Sequence, residues 1–75
     1  MYIKEKLLRI LVEADLYKVG ESDEIAGSNE TYRIIKSSYG WWDLEIVKKN
    51  TVYKTCYMSL PKLARTIFER EKIKL

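Results

Sequence analysis

The sequence contains no histidine, one cysteine, one proline and three glycines. Without histidine the chain lacks the commonest general base, the commonest metal ligand and every Ser-His or Cys-His dyad. Cys56 has no partner within the chain, which excludes an internal disulfide scaffold and leaves the Cys/His set of a zinc finger unfilled. Gly20, Gly27 and Gly40 are too far apart to form a phosphate-cradling loop. No apolar run exceeds three residues, Ile10-Leu11-Val12 being one, so no segment reads as a membrane span. The start, Met1 to Lys6, carries charge of both signs, unlike a secretory signal. These absences lead to the expectation of a cytoplasmic, reducing setting with no cofactor, no metal and no membrane partner.

What is present is bulk and charge. The chain has 75 residues, 47% hydrophobic and 33% charged, the composition of one small domain over 1–75. So small a domain buries only about 60% of the surface its unfolded chain exposes. Six tyrosines, two tryptophans and one phenylalanine help a core of this size to hold. Net charge is +3, unevenly spread. Residues 1–40 hold 6 basic and 7 acidic residues, whereas residues 41–75 hold 8 basic and 4 acidic. The basic half matters for partner choice.

Residues 3–18 have a helical period. Ile3, Leu7, Ile10, Ala14 and Tyr17 recur on one face, Leu8, Leu11 and Val12 widen it, and Gly20 is a natural stop. The polar stretch 21–30 reads as a loop, with room for a short strand at Glu24–Ala26. The period then changes to two. Tyr32, Ile34, Trp42, Leu44, Ile46, Val52, Cys56 and Met58 fall on one face, and Arg33, Ile35, Trp41, Asp43, Glu45, Val47, Tyr53, Thr55 and Tyr57 on the other. Ser38-Tyr39-Gly40 and Lys48-Lys49-Asn50 are short enough breaks for hairpins. Lys54 falls on the apolar face, which a β-bulge or an edge position would resolve. Residues 60–73 return to the helical period through Leu60, Leu63, Ala64, Ile67 and Phe68, with Ser59 as N-cap and Pro61 in the first turn. The expected fold is α+β: a three-stranded antiparallel meander, with a short fourth strand as an option, flanked by helices in the order α-β-β-β-α.

Catalytic chemistry finds little foothold. Asp43 and Glu45, at i and i+2, fit a solvated strand face better than a glycosidase pair. Glu21, Asp23 and Glu24 lack the spacing and terminal glutamate of a calcium loop. Cys56 reads as a small core residue. No catalytic, cofactor-binding or metal-binding residue is expected, and the chain is expected to be no enzyme. Binding is the better expectation. The second sheet face is more aromatic than solvation requires, in the manner of interface anchors. A protein partner, or a second copy of the chain, would then meet Trp41, Tyr53 and Tyr57, oriented by Arg33, Asp43 and Glu45. The rival expectation is nucleic acid held by the basic half, residues 48–74, through Lys48, Lys49, Lys62, Arg65 and Arg70, with aromatics stacking bases. Small chains of this sort are expected of phages and other mobile elements, where they modulate host machinery; that expectation rests on size alone.

Overall fold

A computed structural model describes residues 2–73, with every side chain among them described except those of Tyr2 and Lys54. The order is α1 (Tyr2–Val12), a 3-10 turn (Ala14–Leu16), β1 (Ser22–Ala26), β2 (Thr31–Ser38), β3 (Trp41–Lys48), β4 (Thr51–Met58) and α2 (Leu60–Arg70). The α+β expectation holds, and the optional fourth strand is real. The four strands form one antiparallel sheet in sequence order, β1-β2-β3-β4.

Two-residue turns make the last two connections of this meander. Tyr39-Gly40 joins β2 to β3, with Gly40 at φ +83° where a side chain is disfavoured. Lys49 and Asn50 join β3 to β4, both at positive φ (52° and 63°), as hairpin turns that match strand twist require. Gly27 closes β1 onto β2 for a different reason. A Cβ there would stand 2.7 Å from the Glu30 carbonyl oxygen and 2.5 Å from the Glu71 carboxylate, so only glycine fits.

Both helices pack on the same face of the sheet. Ile3, Leu7 and Ile10 of α1 and Leu60, Leu63, Ala64, Ile67 and Phe68 of α2 meet Ile25, Tyr32, Ile34, Trp42, Leu44 and Ile46 from the strands. Cys56 and Met58 are partly buried and pack at the margin of this core, short of the full burial expected of Cys56. The result is two layers, helices over sheet, and none of the described elements covers the second sheet face.

Four details differ from the expected pattern. The first helix stops at Val12 rather than running to residue 18, because the chain tightens into the 3-10 turn and Tyr17 becomes extended (φ −81°, ψ 135°). That break lets the Tyr17 ring meet Trp42 edge-on at 5.4 Å and its hydroxyl donate to Asp23 at 3.1 Å. Tertiary contact here outweighs helical periodicity. Leu8 and Val12, expected to widen the buried face, are exposed. Val52, expected in the core, is exposed because β4 carries a bulge: Ile46 pairs with Lys54 but Val47 with Val52, leaving Tyr53 as the extra residue. The bulge was one of two ways to accommodate Lys54; its side chain lies outside the described residues.

The second helix also stops earlier than residue 73. Ser59 occupies the N-cap position, but its hydroxyl makes no capping hydrogen bond, and the Leu63 amide bonds the Ser59 carbonyl at 2.9 Å. At the other end Lys72 adopts φ +56°, its amide bonds the Glu69 carbonyl, and the Ile73 amide reaches back to Phe68. This is a Schellman closure with lysine in the position usually given to glycine. It turns Ile73 back onto the core margin.

Candidate protein-docking face

The uncovered sheet face is built by register. One row across the strands is Glu24, Arg33, Glu45 and Thr55; the next is Ser22, Ile35, Asp43 and Tyr57. Arg33 sits between two carboxylates, its Nη1 at 3.0 Å from Glu45 and its Nε at 3.3 Å from Glu24. Arg33 keeps 41% of its side chain in solvent, so these pairs are worth about 0–1 kcal/mol each and set charge and orientation more than stability. Asp43 accepts a hydrogen bond from the Ser37 hydroxyl. At the end of the second row Tyr57 stacks on Trp41, with ring centroids 5.5 Å apart and planes 14° from parallel. Trp41 remains 46% exposed and Tyr57 58%. Tyr57 is fixed further by its hydroxyl, 3.2 Å from the Ser38 hydroxyl.

Five of the six residues expected to contact a protein therefore share this face: Arg33, Trp41, Asp43, Glu45 and Tyr57. Tyr53 does not join them. As the extra residue of the bulge, its hydroxyl accepts from Arg70 Nη2 at 2.6 Å and donates to Glu30. It belongs to a polar network at the C-terminal end of α2.

That network is dense. The Arg70 guanidinium forks onto Glu30, with Nε at 2.6 Å and Nη2 at 3.1 Å from its two oxygens. The buried Tyr32 places its hydroxyl against the Glu30 and Glu71 carboxylates. Glu71 also accepts the Ser28 amide at 3.0 Å. The Arg70 hydrogen bond, helped against burial by those from Tyr53 and Tyr32, holds the Glu30 carboxyl at about 2, well below its usual range. Burial, and then the two carboxylates, push the Tyr32 hydroxyl far above the ordinary tyrosine value. Burial works to raise Glu71, yet the Tyr32 hydroxyl and Ser28 amide outweigh it and leave that carboxyl lowered.

The cations expected to meet nucleic acid fall on two elements, Lys48 and Lys49 at the β3–β4 hairpin and Lys62, Arg65 and Arg70 on α2. Lys48 and Lys49 lie exposed at the β3–β4 end, where Lys48 shares a groove with Glu30, Arg70 and Glu71. Lys62 and Arg65 are exposed on α2, and Arg70 is committed to Glu30 and Tyr53. The uncovered sheet face is itself acidic, with Glu24, Asp43 and Glu45 against Arg33.

No protein-family model, curated protein or solved structure matches the chain. Among the described residues, no helix is long and apolar enough to cross a membrane.

Lys36 has no role in the reading of the sequence, although it continues the alternation of Tyr32 and Ile34 and so falls on the helix-covered face. It is only 7% exposed. Period two alone was enough to find it. The Glu30–Arg70 network had no such signal, because its partners are 40 residues apart.

Proposed function

We propose that the chain acts by binding rather than by catalysis, docking on a protein through the uncovered face of its sheet. The stacked Trp41–Tyr57 pair carries this reading. Two large aromatics held in fixed rotamers on an open surface bury much area at small entropic cost when a partner arrives. The three carboxylates of this face, Glu24, Asp43 and Glu45, favour a partner whose apolar contact is flanked by lysine or arginine, and they oppose a phosphate backbone. An intracellular, reducing location is part of the proposal and rests on the single cysteine.

The test is capture from a lysate, with and without nuclease, by the wild-type chain and by Trp41→Ala. A captured protein that survives nuclease and is lost with Trp41→Ala supports the proposal. Capture that vanishes with nuclease points instead to nucleic acid, and capture indifferent to both Trp41→Ala and Tyr57→Ala overturns it. Light scattering over a dilution series separates one special case. A dimer that Trp41→Ala dissolves makes the partner a second copy.

A further inference from the structure

At the opposite end of the helix layer from Arg70, a cavity of about 240 Å³ opens between the two helices and the β2–β3 turn. Leu11 of α1, Trp42 of β3 and Leu60 and Pro61 of α2 give it apolar walls. Among the described residues that line it, Lys36 is the one cation. The ammonium donates to the Tyr17 carbonyl at 2.8 Å and the Ala14 carbonyl at 3.0 Å, and stands 5.9 Å from the ring centroids of Trp42 and Tyr39. An ammonium has three protons, and these carbonyls take two. Among the described residues no carboxylate forms an ion pair with it. Buried charges are ordinarily paired. The Glu30 carboxylate of this same protein, its side chain only 11% exposed, is paired with Arg70.

We infer that this cavity binds a small monocarboxylate with an apolar body, its carboxylate on Lys36 and its body against Trp42, Leu11 and Leu60. A cavity of about 150 Å³ accommodates a benzene ring, so the space here suits a ring-sized acid and falls short of a drug-sized ligand. One ammonium and apolar walls match a single negative charge. Asp15 on the rim works against anything more highly charged. The carboxylate can belong to a free acid or to the C-terminus of a docked chain, since Gly40, which lines the cavity, directly precedes Trp41. A free acid needs no docked protein, because it meets the helix-covered side of the sheet; only the chain terminus as source rests on the docking proposal.

The test follows the Trp42 indole N–H resonance while the wild-type protein is titrated with benzoate, phenylacetate and 3-methylbutanoate, and with benzamide as the uncharged control. At least one acid should give a saturable shift. Benzamide should bind at least about tenfold more weakly than benzoate if benzoate is that acid, the loss expected for one hydrogen bond to a charged group. Asp15→Asn should tighten acid binding, and Lys36→Met should abolish it with the circular dichroism spectrum retained. A peptide ending in phenylalanine, compared with its C-terminal amide, distinguishes the sources: binding of the peptide acid alone assigns the site to a chain terminus. If none of these acids gives a saturable shift by about 10 mM, or if benzamide binds as well as benzoate, the inference falls. Should Lys36→Met fail to fold, the acid-against-amide comparison on the wild-type protein still decides.

Discussion

Trp41 and Trp42 are adjacent in the chain and stand on opposite sides of one sheet. Trp42 is 2% exposed, beneath both helices and edge-on to Tyr17; Trp41 keeps nearly half its surface and touches Tyr57 across the open face. The same residue type thus serves two ends. On the covered side it fills volume that the helices could not otherwise close over. On the open side it adds little to the fold, and a side chain of that size left half in water is available to something else. Stability and recognition are in this way separated by a single pleat, and the separation can be tested by substitution.

The largest effect should come from the covered side. Trp42→Ala should cost about 3–5 kcal/mol, the range for deleting a buried aromatic, and in a domain this small that leaves little or no folded protein. Thermal unfolding followed by circular dichroism checks it. A loss below about 1 kcal/mol would mean that the two faces are not energetically distinct.

Next comes the polar network that pins α2 to the sheet. Glu30→Gln should cost about 2 kcal/mol, the scale of hydrogen bonds to a charged group. Its pH dependence has a definite sign. The Glu30 carboxyl sits at about 2 in the folded chain against 4.5 ordinarily, so its contribution is complete above pH 4.5 and drains away as pH falls towards 2. Urea midpoints measured between pH 5 and pH 2 should fall more steeply in the wild type than in Glu30→Gln. Parallel curves would show that the Arg70 fork does not stabilise the fold. Tyr53→Phe should lower the midpoint less than Glu30→Gln and leave partner capture intact, because its hydroxyl serves this network and not the open face.

These assignments show what could be read from the sequence. Period two placed Tyr32, Ile34, Trp42, Leu44 and Ile46 under the helices and Trp41, Asp43, Glu45 and Tyr57 outside, because a strand's side-chain geometry is local. The same rule, counted without interruption through Thr51–Met58, put Val52 inside and Tyr53 beside Trp41. One bulged residue reverses the alternation, and a bulge is set by cross-strand pairing rather than by the strand's own composition. The helix over residues 3–18 was cut short for a comparable reason, since Tyr17 gains a ring contact with Trp42 that helical geometry would deny it. Both helices sharing one face was likewise beyond local pattern. Each helix has an apolar stripe that either side of the sheet would bury equally well.

The smallest expected effect is the sharpest test of the two-faced sheet. The chain has two tryptophans, so Trp41→Phe and Trp42→Phe each leave one, which is excited apart from the six tyrosines at the red edge of the absorption band. Trp41→Phe keeps an aromatic ring against Tyr57 and should change stability by no more than about 0.5 kcal/mol, as for surface substitutions generally. Its remaining emission, from Trp42, should be blue-shifted and resist acrylamide. Trp42→Phe should leave red-shifted emission from Trp41 that acrylamide quenches readily and that shifts to the blue when a partner covers the open face. If the two single-tryptophan variants emit alike and are quenched alike, the pleat does not divide these neighbours, and the docking surface assigned to Trp41 and Tyr57 has no basis.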